Sequence, residues 1–270
     1  MILLKSEQEI EKIRESAQLV SRTLAEVAKH IEPGIETGKL DSIAEEYIKK
    51  NNATAAFKGY GPKRNSFPAS LCISVNQEVV HGIPGSRALE SGDIVSIDCG
   101  VNKGGYFGDS AYTFIVDEVS DDVMNLLYAT NTSLYKGIEQ AVHGNKVGDI
   151  SNAVQEYCES RDYGVVRELV GHGFGKKLHE DPSVPNFGRK SRGPRLRDGM
   201  TLAIEPMITM GTWKVDTAPD GWTITTADHS LAAHYEHDIV VREGSAEILS
   251  TFDYIEEITQ IRIDKQHQNG

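Results

Sequence analysis

The sequence predicts an α+β protein made of two related halves, and three observations carry that expectation. Helix-period and strand-period stretches alternate along the chain, and each half opens with a long helix followed by a shorter one. Blocks of the first half recur in the second, in the same order. Each half also places two acids at strands, Asp98 and Asp109 in the first, Glu205 and Glu236 in the second.

The elements follow in order. Ser6-Glu7-Gln8-Glu9 reads as a capping box. Ile10, Ile13, Ala17, Val20, Leu24, Val27 and Ile31 then keep helical spacing until Pro33-Gly34. A second helix fits Thr37 to Lys50, with Leu40, Ile43, Ala44, Tyr47 and Ile48 on one face. Strand-like runs cover Leu71 to Val75, Ile94 to Asp98 and Ala111 to Val116. A second long-then-short helix pair fits Ser120 to Val142 and Gly148 to Arg161.

The recurrence is specific in its polar residues. PGIETGKLDSIAEEY (33–47) falls on HGNKVGDISNAVQEY (143–157), matching Gly34 with Gly144, Gly38 with Gly148, Glu46 with Glu156 and Tyr47 with Tyr157. LESGDIVSID (89–98) falls on LRDGMTLAIE (196–205), so Asp98 lands on Glu205. Between them VVHGIPG (79–85) resembles LVGHGFG (169–175), which pairs His81 with His172. Chance is the plain alternative, since any two helix pairs share a pattern. The common order and the coinciding polar residues favour duplication, with pseudo-repeats at roughly 6–116 and 120–242 and the four acids near a pseudo-twofold axis.

Bulk composition excludes several classes. Of 270 residues, 39% are hydrophobic and 25% charged, as in an ordinary soluble domain. No apolar run is long enough to cross a bilayer, and MILLKSEQEIEKIRES turns polar too early for a signal peptide. A net charge of −12 argues against a nucleic-acid-binding surface. Cys72, Cys99 and Cys158 lie far apart, which argues against a disulfide framework or a zinc finger and fits a reducing cytoplasm.

Taken singly, each acid is more often a cap, a turn or a solvated edge than a ligand. Together they say more. CGVNKGGYFG, between Asp98 and Asp109, can fold back as a hairpin and bring the two carboxylates face to face on neighbouring strands. Glu205 follows the apolar Thr201-Leu202-Ala203-Ile204, where a bare carboxylate is costly to desolvate. Four clustered carboxylates repel and raise one another's pKa. Two divalent cations remove that cost, and such oxygen-rich dinuclear sites activate a shared water. An imidazole would complete a mixed N/O site suited to Mn, Fe, Co or Zn, and His172 is the candidate within GHGFGKKLHE. The glycines there permit close approach or positive φ, while a plain tight loop is the alternative.

CISVNQEVVHGIPG, SIDCGVNKGGYFGDSA, GHGFGKKLHEDPSVPNFG, GMTLAIEPM and DGWTITTADHSLAAHYEHDIVV resemble the bacterial-type (type I) methionine aminopeptidases, which have the pita-bread fold. The likeness covers almost the whole chain, in order. It implies one catalytic domain over residues 1–270: a curved antiparallel sheet core covered by two helix pairs, with the metal site at its centre. It implies Asp98, Asp109, His172, Glu205 and Glu236 as ligands of two divalent ions, with Asp109 and Glu236 shared. A water activated by both ions would attack the scissile carbonyl, and Glu205 would pass its proton to the leaving amine. His81 would bond near the scissile nitrogen and His179 to the carbonyl oxygen. Tyr60, Phe67, Cys72 and Trp222 would line the methionine pocket, with core packing a rival reading for Cys72.

The implied substrates are nascent polypeptides that begin with methionine and have a small second residue. The implied setting is a monomer in the cytoplasm, with neither membrane nor specific DNA as partner. The basic loop GRKSRGPRLR (188–197) suggests a transient ribosome contact, although a solvated connection fits the acidic surroundings better. A related peptidase cleaving X-Pro bonds and a binding protein that has lost its metals are the alternatives. The presence of all five ligand residues argues against the second.

Overall fold

The computed structural model of the chain describes residues 2–261. The first helix, α1, spans Glu7–Ala28, and Ser6 caps it: its side chain accepts from the Glu9 amide while the Glu9 carboxylate accepts from the Ser6 amide. The periodic residues Ile13, Val20, Leu24 and Val27 are fully buried. Helix α2 spans Thr37–Lys50, as expected from its pattern.

The first-half sheet is antiparallel. Strands β1 (Leu71–Val75) and β2 (Glu78–Val80) precede a long hairpin of β3 (Ile94–Lys103) and β4 (Tyr106–Ile115). β3 is central, paired with β1, with β4 and with a two-residue strand at Thr54–Ala55. The expected break after Asp98 does not occur. Gly100 is not a turn residue: a Cβ there would meet the Phe57 ring at 2.6 Å, so glycine makes room for that ring on an unbroken strand. The turn is Gly104-Gly105 alone, both at positive φ, which a two-residue hairpin loop of this hand requires.

The second half repeats the plan. Helices α3 (Asp121–Gln140) and α4 (Val147–Glu159) lead into β5 (Gly171–Gly173), β6 (Glu180–Val184), β7 (Thr201–Ile204), β8 (Met207–Thr209), β9 (Ile224–Thr226), β10 (Ala232–His234) and β11 (His237–Val240). β7 is flanked by β5 and β11, as β3 is by β1 and β4. A seven-residue helix, α5 (Asp253–Thr259), returns against α1.

The two halves are joined along β4 and the 232–238 segment. The Glu236 amide donates to Ala111 O at 2.9 Å, Ser110 Oγ to Glu236 O at 2.6 Å and Thr113 Oγ1 to His234 O at 2.7 Å. α1 packs on the outer side of this seam, where a Cβ on Gly108 would lie 2.4 Å from the Ala17 amide nitrogen.

The pairing registers correct one expectation. Ser96 lies one strand away from Ser74, and its repeat partner Ala203 lies opposite His172. The residue that occupies His172's place in the first half is therefore Ser74, not His81. His81 follows β2, which pairs with β9 in a separate three-stranded sheet. The likeness of VVHGIPG to LVGHGFG reflects shared glycines near a histidine, not an equivalent strand position. The 188–197 loop is mostly exposed apart from the buried Leu196, and the Gly148 and Ser191 amides donate to Arg192 O and Asp149 Oδ1, pinning it to the start of α4.

Candidate metal centre and its cavity

One cavity of about 140 Å³ is lined by every residue the sequence singles out: Tyr60, Phe67, Cys72, His81, Asp98, Asp109, His172, His179, Glu205, Trp222 and Glu236. Asp98 lies on β3 opposite Ala111, and Asp109 on β4 opposite Gly100. The two acids are thus diagonal neighbours on one face of the hairpin, not directly opposed. Glu205 directly follows β7, and its backbone carbonyl accepts from Asn186 Nδ2 at 2.9 Å. Glu236 sits in the break between β10 and β11.

His172 reaches the cluster from β5. Its Nδ1 lies 3.1 Å from Gly173 O. A carbonyl can only accept, so Nδ1 carries the proton and Nε2 presents a lone pair. The flanking glycines serve close approach: a Cβ on Gly171 would meet Ala203 O at 2.4 Å, and one on Gly173 would meet Asp181 O at 2.3 Å. Neither has positive φ.

Ligand-type atoms of Asp109, His172 and Glu236 all lie within 4.8 Å of one another. His172 Nε2 is 3.7 Å from Glu205 Oε1. Asp109 and Glu236 are buried, and Asp98 Oδ1, Asp109 Oδ1 and Glu236 Oε1 have no hydrogen-bond partner. Burial, and then the neighbouring carboxylates, hold Asp109, Glu205 and Glu236 well above the usual carboxylate range. Burial pushes Asp98 up to about 7. Burial, and then His179, lowers His172 to about 3, so its imidazole is neutral and available as a ligand. Crowded acids with orphaned oxygens beside a neutral imidazole fit divalent cations: the charge that makes the cluster costly alone is what a cation neutralises.

The cavity wall is apolar. Phe67 stacks edge-on to Trp222 at 5.3 Å between centroids, and Phe57, Phe67, Cys72 and Leu178 form one buried cluster. Cys72 stands opposite Asp98 on the neighbouring strand, and burial raises its thiol, so it presents a neutral surface. It both packs and lines. At the rim, Tyr60 Oη lies 2.7 Å from His179 Nδ1, and the His179 and His172 ring centroids are 4.2 Å apart. His81 has φ of +60°, an uncommon conformation for a non-glycine residue, and burial lowers it to about 4.

Three residues at the site were not anticipated. Phe57 lines the wall, with no periodic pattern in AAFKGY to announce it. Asp238 is buried and accepts from the Asp109 amide at 2.7 Å. His234 is buried with Nε2 3.7 Å from Glu205 Oε2. For the last two the signal was present: alternation along His234-Tyr235-Glu236-His237-Asp238 puts residues 234, 236 and 238 on one face.

An antiparallel sheet core carrying an acid-and-histidine cluster at the seam of two repeats defines a metallohydrolase type of site. Residues 11–243 match the model of metallopeptidase family M24, and the chain belongs to that family. It is 51% identical over 251 residues to a methionine aminopeptidase of Clostridium acetobutylicum, covering 93% of this chain and 99% of the relative. The crystal structure of a Thermotoga maritima methionine aminopeptidase superposes with a TM-score of 0.90 at 43% identity, covering 93% of this chain and all of that one. An Xaa-Pro dipeptidase of Bacillus anthracis shares the fold at 21% identity and a TM-score of 0.75, with this chain spanning 62% of its length. The pita-bread architecture and the methionine aminopeptidase branch of the family are the ones the sequence led us to expect.

Proposed function

We propose that this chain is a metal-dependent aminopeptidase that removes the initiator methionine from nascent chains, preferring a small second residue. It would work as a single-domain monomer in the cytoplasm, and its free buried cysteines agree with a reducing compartment. One observation carries the reading: the acid-histidine cluster lines the same cavity as an apolar and thiol surface of the kind that suits a flexible thioether.

Asp98, Asp109, His172, Glu205 and Glu236, drawn from both halves, would hold two divalent ions. Mn, Fe, Co and Zn all suit the donor set. When bound, such ions supply Lewis acidity and lower the pKa of a water toward ~7. The chain's own groups do the rest. The Asp98 side of the cluster would receive the free α-amine, which restricts the enzyme to the first residue. Glu205 would take a proton on its carboxylate and deliver it to the leaving nitrogen. His179 would donate to the carbonyl oxygen as charge develops there, and His81 would bond at the scissile nitrogen.

The test is peptide hydrolysis by purified protein with Mn, Fe, Co or Zn. Met-Ala-Ser should release methionine, with Met-Leu-Ser slower and an X-Pro peptide untouched. Absence of metal-dependent release from Met-Ala-Ser would overturn the proposal. Glu205→Gln should abolish turnover, and near-normal activity would remove Glu205 from its role.

A further inference from the structure

His234 is 1% exposed, and neither ring nitrogen has a hydrogen-bond partner. A neutral imidazole always carries one N–H, and leaving it unpaired in the interior is costly. The ring's placement is nevertheless set firmly. The His234 amide donates to Thr113 Oγ1 at 2.9 Å, the His234 carbonyl accepts from the same hydroxyl, and the residue pairs with Met207 across β8. Tyr235 then turns into the core, where its hydroxyl donates to Thr113 O, while the His234 ring faces the Glu205 carboxylate and Glu236 lines the cavity.

On that side the Glu205 carboxylate lies between two imidazoles. His172 Nε2 stands 3.7 Å from Oε1, and His234 Nε2 stands 3.7 Å from Oε2. The two rings cannot have the same task. His172 is fixed with its proton on Nδ1 by Gly173 O, so it offers Glu205 only a lone pair. No such partner commits His234, whose Nε2 is free to carry the N–H.

We propose that His234 is a positioning residue for Glu205: its Nε2–H donates to Oε2 and holds the carboxylate with Oε1 facing His172 and the metal cluster. The separation of 3.7 Å is longer than a hydrogen bond. A rotation of the Glu205 side chain would close it, and Asn186, which holds only the backbone carbonyl, does not oppose that. The donated bond fixes which oxygen is left for metal and proton work, an orienting role of the kind outer-sphere groups play in metal enzymes. The inference rests on the reading of Glu205 as ligand and proton carrier.

The experiment uses the full chain, stripped of metal, titrated calorimetrically with Mn²⁺ and then assayed on Met-Ala-Ser. His234→Leu should bind Mn²⁺ roughly 10- to 100-fold more weakly and lose kcat over the same range, with KM nearly unchanged. His234→Gln, whose amide can donate from a similar distance, should recover most of both. His234→Asn, too short to reach, should resemble the leucine variant, and it keeps the test open if leucine fails to fold. Wild-type affinity and kcat in the leucine or asparagine variant would overturn the proposal, as would equal impairment of glutamine and asparagine. Glu205→Gln separates the two readings. If it keeps Mn²⁺ affinity and turnover, the assignment of the site itself fails. If it loses both while His234→Leu keeps both, only the positioning role falls.

Discussion

The two halves share a plan and complete it differently. In the first, β3 and β4 pair over ten residues each around a two-residue turn, and two acids ride on that continuous hairpin. In the second, the corresponding strands are four residues each, and the chain breaks at residues 235 and 236 before β11 begins. The break delivers Glu236 at the seam and leaves room for His172 from β5. At the place equivalent to His172, the first half has Ser74, whose hydroxyl accepts from the Gly82 amide at 3.1 Å. One copy of this strand position holds a loop in place; the other is aimed at the acid cluster. The difference teaches that duplication supplied the scaffold and the acids, whereas the proposed nitrogen ligand belongs to one half.

The sharpest way to break this comparison is to exchange the two residues. His172→Ser gives the second half what the first has, and turnover should fall at least ~10³-fold at limiting metal, since several kcal/mol of transition-state stabilisation depend on a correctly held ion. Ser74→His in that background should not restore it, because the side chain at 74 serves the 81–82 loop. Calorimetric Mn²⁺ titration of the single and double variants checks this. Recovery of tight binding in the exchanged protein would show the halves to be interchangeable after all.

Much of this was legible in the sequence. The helix pairs were readable because their apolar spacing and caps are local, and α2 runs over the residues expected. All the expected site residues face one cavity because strand ends and glycine-flanked histidines mark where a backbone turns into a site. The rest depended on pairing register, which composition does not encode. Gly100 looked like a turn and is a gap for the Phe57 ring. His81 looked like the counterpart of His172 and instead follows a strand of another sheet. His234 stands within the motif around Glu236, but its neighbour Glu205 follows a strand brought near only by folding.

The halves also differ in how they respond to pH, through the balance of raised acids and lowered histidines. Burial raises Asp98 to about 7 and Asp109, Glu205 and Glu236 further, so the metal-stripped folded state binds protons that the unfolded chain has released. Stability from these groups falls as pH rises from the ordinary carboxylate range through the folded values. His172 and His234, both near 3, act oppositely: the unfolded chain takes up their protons below pH ~6.5, so stability falls as pH drops through that value. From pH 6.5 to 7.5 the acids dominate, because the unfolded histidines lose most of their protons there and the buried thiols of Cys72, Cys99 and Cys158, also raised, matter only at higher pH. The melting temperature of the stripped protein should therefore decline from pH 6.5 to 7.5, and saturating Mn²⁺ should remove the decline. Paired melts in buffer and in Mn²⁺ across that range measure it. A decline that persists with the ion bound would place its origin outside the cluster.

The smallest expected effect concerns a contact that crosses between the halves. Tyr60, from the first, is 43% exposed, yet its hydroxyl lies 2.7 Å from Nδ1 of His179, from the second. The loop holding Tyr60 is closed by two backbone bonds with Phe67, so the ring should stay in place when the hydroxyl is removed. A hydroxyl donating to Nδ1 leaves the His179 proton on Nε2, the state that can donate to a substrate carbonyl. Without it the ring can exchange tautomers, and the loss is that of one hydrogen bond, ~1 kcal/mol or about fivefold in kcat/KM. Tyr60→Phe on Met-Ala-Ser should show that fivefold drop with unchanged Mn²⁺ affinity. In a His179→Ala background the same substitution should have no further effect, because its only route to the reaction runs through that imidazole. Additive losses would mean that Tyr60 touches the substrate directly.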